Sequence, residues 1–167
     1  GLGIPAEPLF RSRILLYDLL VSPEILALLP KNCERICVGK RSSRHTLPQA
    51  EINRLIVAQA RLGRRVVRLK GGDPFIFGRG GEEMQELAAA GIPCEVVPAV
   101  TAAMGAAAAS GIPLTHRDHA QMVSFVTGLR RMDDGAAKLD WIRLLNAEST
   151  LVIYMGLGEA TRIAAEL

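Results

Sequence analysis

Aromatic residues are scarce in this chain: one tryptophan, two tyrosines and four phenylalanines among 167 residues. With nearly half of all residues apolar, that scarcity fits an Ala/Leu/Val-rich α/β protein and not a disordered one. Cysteine is equally sparse. Cys33, Cys37 and Cys94 are odd in number and lack zinc-type spacing, so free thiols in a reducing cytosol are expected rather than a disulfide framework. Of three histidines, His116 and His119 lie three apart with Asp118 between them, in a stretch that reads as a loop; without a further ligand group no metal is expected. There is no signal-peptide pattern and no apolar run long enough to span a bilayer, so no membrane association is expected and the location read from the sequence is cytoplasmic. No internal repeat is visible. The net charge is only +3, spread over short clusters at Lys40-Arg41, Arg64-Arg65 and Arg130-Arg131. Such a balance does not call for nucleic acid, although it suits a polyanionic small molecule. The sequence opens on Gly1-Leu2-Gly3 without methionine and stops at Leu167 within a helix-like run, so it reads as a fragment or a processed chain.

What the chain does have is a glycine-rich string. Val66-Val67-Arg68-Leu69 is a short apolar run that feeds Lys70-Gly71-Gly72-Asp73-Pro74, then Phe75-Ile76-Phe77-Gly78-Arg79-Gly80-Gly81 and the acids Glu82 and Glu83. This is strand, turn and helix start in sequence. No Gly-Lys-Ser/Thr follows the glycines, which excludes a Walker A loop, and the spaced glycines of a dinucleotide fingerprint are absent. Bare glycines admit close backbone approach, and Asp73 offers an acceptor for an amine or hydroxyl. The bland alternative is a plain strand-to-helix connection, since Gly, Asp and Pro are ordinary turn residues.

Around this string, strands are expected at Ile14–Tyr17, Arg35–Val38, Arg65–Leu69, Cys94–Val97, Met122–Val126 and Leu151–Tyr154. Helices are expected after Ser22-Pro23, from Pro48 to the stop at Gly63 with Ile52, Leu55, Ile56 and Ala60 inward, and from Glu82 to Gly91 with Met84, Leu87 and Ala88 inward. A further helix of small residues spans Thr101–Ala109, and Leu129–Lys138 reads as a surface loop. Alternating strands and helices predict an α/β fold with a largely parallel sheet. In such a sheet residues just past each strand emerge on one edge, where ligands collect. Asp18, Lys40, the Gly71–Asp73 turn and Thr101 all follow a predicted strand, so an acid, a base, a glycine-rich turn and a hydroxyl are expected along one rim. Taken singly, Asp18 and Lys40 are more often surface residues, but as a pair they can take up and give a proton. Arg41, Arg44, His45, Arg79 and Arg117 can pair with carboxylates, against the bland reading of a solvated basic surface. The first turn of the small-residue helix offers amide groups and the Thr101 hydroxyl to a ligand.

Beyond these local readings, the chain resembles the uroporphyrinogen-III C-methyltransferases. The landmarks are Tyr17-Asp18, Val38-Gly39-Lys40-Arg41, Pro48-Gln49, the glycine-rich string, Gly111-Ile112-Pro113-Leu114-Thr115-His116-Arg117-Asp118, Val126-Thr127-Gly128 and Tyr154-Met155-Gly156-Leu157. The resemblance implies a tetrapyrrole-methylase-like fold of two α/β domains with a cleft between them, at residues 1–116 and 117–167, with the first strand and the end of the second domain missing. It implies methyl transfer from S-adenosyl-L-methionine, leaving S-adenosylhomocysteine, to rings A and B of uroporphyrinogen III. The product would be precorrin-2, on the way to sirohaem, cobalamin or haem d1. Carried over by residue, Asp18 is the proton acceptor and Lys40 the proton donor. Gly71, Gly72, Asp73, Ile76, Thr101, Ala102 and Met155 hold the methyl donor, and Arg41, Arg44, Arg79, His116 and Arg117 face the tetrapyrrole. A homodimer is implied. Leu19, Ala99 and Leu129 depart from the family, which usually has arginine, glycine and histidine there. The alternatives are an inactive remnant or weak binding fragment, and a methylase of a later corrin intermediate.

Overall fold

The computed structural model describes residues 11–39, 47–128, 141–145 and 148–167. Its described contacts divide the chain into two compact units, one ending at Val100 and one beginning at Thr101.

The first unit is organised by β1 (Ile14–Tyr17), four apolar residues in succession. A strand can be apolar on both faces only if both are covered, and β1 is the middle strand of three, in the order β2-β1-β3. Its neighbours β2 (Glu34–Cys37) and β3 (Val66–Leu69) both pair with it in parallel, placing Tyr17 level with Cys37 and Leu69. Alternation along β1 serves two cores. Ile14 and Leu16 pack with Val38, Ile52 and Ile56 on one face, and Leu15 packs with Leu29 and Cys33 on the other. Helix α1 (Pro23–Ala27) starts as expected, with Ser22 extended at its N-cap and Pro23 in its first turn. Helix α2 (Gln49–Arg61) buries Ile52, Asn53 and Ile56, and α3 (Gly80–Ala89) follows the glycine-rich turn.

Two expectations change here. Helix α3 does not turn Met84 and Ala88 inward; its buried residues are Gly80 and Glu83, with Leu87 only partly covered. Glu83, an acid of the first turn, enters the interior, where Arg68 and Lys70 meet it. Residues 92–100 form no strand, so Cys94–Val97 is not the fourth strand expected. Pro93 and Pro98 bracket the segment without N–H groups to donate to a ladder.

In the second unit, α4 (Ala102–Ser110) precedes β4 (Met122–Thr127), and β4 pairs in parallel with β5 (Ser149–Tyr154) over six residues. The short helix α5 (Trp141–Leu144), with Trp141 buried, lies between them in sequence. A 3-10 turn at Leu157–Glu159 leads into α6 (Ala160–Glu166). The parallel pairing of the five described strands agrees with the α/β reading of the sequence. The expected loop at Leu129–Lys138 lies outside the described residues.

Candidate functional site

The aligned ends of β1, β2 and β3 carry the candidate residues of the first unit. Asp18 leaves β1, Gly39 lies two residues past β2, and the Gly71–Asp73 turn follows β3 and Lys70 on the same edge of the sheet. The backbone after β1 is wedged between two glycines. A Cβ on Gly71 would fall on Leu20, and one on Gly39 would lie 2.8 Å from the Leu19 nitrogen. Glycine is required at both positions because the Asp18 loop fills the space a side chain would need. The Asp18 carboxylate closes a local turn by accepting the Leu20 N–H at 3.0 Å, and its other oxygen lies 3.5 Å from Arg68 Nη2.

Arg68 belongs to an ionic cluster that the sequence reading did not single out. Val66, Arg68 and Lys70 share one face of β3 and its extension, because strand side chains alternate. Val66 joins the apolar core, whereas Arg68 and Lys70 close on Glu83 of α3. Glu83 accepts from Arg68 Nε at 3.2 Å, from Lys70 Nζ at 2.9 and 3.0 Å, and from Gln49 at 3.1 Å. Burial pushes the Lys70 ammonium below its ordinary pKa, and the neighbouring Arg68 charge adds to that, against the pull of Glu83 and Asp18. The signal available in the sequence was the pair of cations two apart at a strand end, followed by an acid in the next helix.

The glycine-rich turn is held by its own acid. Asp73 Oδ1 accepts the Phe75 N–H at 2.9 Å and Oδ2 accepts the Ala99 N–H at 3.0 Å. Gly72 has φ of +109°, a conformation open to glycine. A Cβ on either Gly78 or Gly80 would lie 2.6 Å from the Pro74 carbonyl oxygen, and between and before them Arg79 and Phe77 adopt left-handed backbone. Such positions persist only where the surroundings over-determine them. Ile76 is half-buried in this loop. Arg79 is exposed and forms a two-pronged pair with Glu82, at 2.8 and 2.6 Å.

The second unit carries the remaining residues. Thr101 is buried and its hydroxyl meets that of Tyr154 at 2.5 Å, while Tyr154 also accepts the Ala103 N–H at 3.1 Å. Ala102 is exposed in the first turn of α4. Met155 follows β5 with φ of 55° and an exposed side chain. His116 and Arg117 are exposed in a turn where His116 stacks on His119 and its Nδ1 accepts the Asp118 N–H. Among the described residues no group of three His, Cys, Asp or Glu could hold a metal, and no helix is long and apolar enough to cross a membrane. The structure therefore brings Asp18 to the Gly71–Asp73 edge and gathers Thr101, Ala102 and Met155 in the other unit. Lys40, Arg41 and Arg44 lie outside the described residues.

The strand-end acid and glycine turn of one unit, and the small-residue helix start of the other, are each compatible with several ligand classes. The family model for tetrapyrrole (corrin/porphyrin) methylases matches residues 10–167. The chain belongs to this family. It is 62% identical over 155 residues to a siroheme synthase of Serratia proteamaculans, covering 92% of this chain and 32% of that protein. It is also similar to the crystal structure of uroporphyrin-III C-methyl transferase from Thermus thermophilus complexed with S-adenyl homocysteine, at 42% identity and a TM-score of 0.73, covering 96% of this chain and 65% of that one. The X-ray structure of a cobalt precorrin-4 methyltransferase aligns at 25% identity and a TM-score of 0.74, covering 96% and 64%. The chain thus spans about a third of the length of the curated relatives it matches.

Proposed function

We propose that this methylase-family chain transfers methyl groups from S-adenosyl-L-methionine to carbon atoms of rings A and B of uroporphyrinogen III, yielding precorrin-2 on a route such as that to sirohaem. The observation that carries this reading is the 42% identity, over nearly the whole chain, to a uroporphyrin-III methyltransferase solved with S-adenyl homocysteine. The residues suit such a donor. Gly71 and Gly72 present bare backbone, and Gly72 holds a conformation that a side chain would strain. The Ala102 amide, in the first turn of α4, has no hydrogen-bond partner among the described residues.

When bound, the donor supplies a methyl group on a sulfonium sulfur; the electron-rich pyrrole carbon forms the new C–C bond as the C–S bond breaks and S-adenosylhomocysteine leaves. The protein's part is alignment and the handling of one proton's departure and of any proton returned. Asp18 is assigned to accept the departing proton and Lys40 to donate one. Gly71, Gly72, Asp73, Ile76, Thr101, Ala102 and Met155 are assigned to the donor, and Arg41, Arg44, Arg79, His116 and Arg117 to the substrate carboxylates. A homodimer working in the cytoplasm completes the reading.

The test is to incubate the whole protein that carries this chain with both compounds and follow the product's absorbance. A folded protein that yields no methylated tetrapyrrole sinks the proposal. Methylation of a later corrin intermediate in place of uroporphyrinogen III would replace the substrate and leave the chemistry.

A further inference from the structure

The N-terminus of α4 lacks the cap its sequence offers. Thr101 stands at the N-cap in extended backbone, where a threonine hydroxyl ordinarily accepts an amide of the first turn, yet it makes no such bond. Its hydroxyl is directed to Tyr154, and the Tyr154 hydroxyl accepts the Ala103 N–H in its place. The Met104 amide is satisfied by the Thr101 carbonyl. One phenolic oxygen from the end of β5 therefore does the capping and leaves the Ala102 amide as the outward donor of that turn.

The tyrosine is itself closely held. Phe125 meets its ring edge-on at a centroid distance of 5.9 Å, and its carbonyl accepts the Gly128 N–H at 2.7 Å. Directly after it, Met155 takes left-handed backbone, and Gly156 packs against Gly128 so closely that a Cβ on Gly128 would lie 2.6 Å from the Gly156 Cα. A rigid side chain thus ties residues 101–103 to the strand end that turns out Met155. We infer that Tyr154 is a positioning residue for the methyl donor, its hydroxyl locking Thr101 and Ala102 in register with Met155. The inference rests on the proposed assignment of those three residues to the donor.

Tyr154→Phe deletes the hydroxyl and keeps the ring against Phe125. In the whole protein, titration with S-adenosylhomocysteine is expected to show about tenfold weaker binding, the effect of losing one well-placed hydrogen bond. KM for the donor should rise with kcat at saturating donor within about twofold, and hydrogen exchange at the Ala103 amide should accelerate. A cap with no bearing on the donor would accelerate that exchange and leave donor affinity and KM unmoved; that result overturns the inference while the donor reading stands. A parent protein that does not bind S-adenosylhomocysteine overturns both. If Tyr154→Phe does not fold, 3,5-difluorotyrosine at 154 keeps the shape while weakening the acceptor, and unchanged donor affinity there is equally fatal.

Discussion

Lys70 Nζ lies 2.9 Å from Glu83 Oε2, and the two side chains are only 8% and 7% exposed. The same carboxylate holds Arg68, so one buried anion serves two cations where β3 gives way to the glycine-rich turn. Removing one partner from a buried ionic group leaves uncompensated charge in a poorly solvated site and typically costs about 3–5 kcal/mol. Glu83→Gln should therefore destabilise the protein by roughly that amount. Lys70→Met should cost less, because Glu83 keeps Arg68 and Gln49. Urea unfolding of the two variants checks the order. A Glu83→Gln protein as stable as its parent would show that the cluster does not hold the fold.

The same pair predicts a pH dependence of unusual sign for a lysine. Burial and Arg68 lower the Lys70 pKa from its ordinary value of 10.5, so the folded state gives up this proton more readily than the unfolded chain. Between the lowered pKa and 10.5 the unfolded state binds more protons, and stability contributed by this group rises with pH. Below that window the lysine is charged in both states, and its loss of solvation offsets part of what its pair with Glu83 contributes. The stability of the parent relative to Lys70→Met should accordingly increase as pH is raised from neutral through the alkaline range. Urea midpoints at several pH values measure this, and a relative stability that falls instead would reverse the assigned sign.

Gly71 and Gly105 should respond in opposite directions to the same substitution. A methyl on Gly71 falls on Leu20, in the loop that carries Asp18, whereas among the described residues nothing lies within 4 Å of the corresponding position on Gly105 in α4. Gly71→Ala should cost about 1–3 kcal/mol through overpacking and reduce methyl transfer by displacing Asp18. Gly105→Ala should stabilise by about 0.4–1 kcal/mol, since alanine loses less freedom on entering a helix. Thermal melting of both variants, with turnover for the first, separates a turn under steric control from a helix position that tolerates a side chain.

The parts of the fold legible in the sequence were those with a local signature. Ile14–Tyr17 is apolar on both faces and became the central strand; Ser22-Pro23 and Pro48 opened helices where expected. The Gly71–Asp73 turn follows β3 at the edge shared with Asp18, as its position after an apolar run implied. What the sequence hid depends on partners distant along the chain. Cys94–Val97 has strand composition, but a strand exists only through its ladder, and this segment is flanked by prolines. Glu83 has the look of a solvated first-turn acid until Arg68 and Lys70 are brought against it. Likewise Tyr154 reads as the last residue of an apolar strand, and only the fold brings its hydroxyl to Thr101.

Asp73 and Lys40 should fail in different ways. Both oxygens of Asp73 are engaged by backbone amides, Phe75 on one side and Ala99 on the other, so its first task is to hold the turn that the donor is proposed to occupy. Asp73→Ala removes two charge-assisted bonds, each worth about 1.5–3 kcal/mol, and should weaken S-adenosylhomocysteine binding by about ten- to a hundredfold. Asp73→Asn should fare little better. Its amide can satisfy the Phe75 N–H through oxygen, but it then turns an NH2 group toward the Ala99 N–H, donor against donor. Lys40→Ala, on the proposed tetrapyrrole side, should leave donor affinity within about twofold while lowering turnover. Titration with S-adenosylhomocysteine followed by methyl-transfer rates distinguishes the three variants. Should Lys40→Ala lose donor binding while Asp73→Ala keeps it, the donor and tetrapyrrole assignments of these two residues must be exchanged.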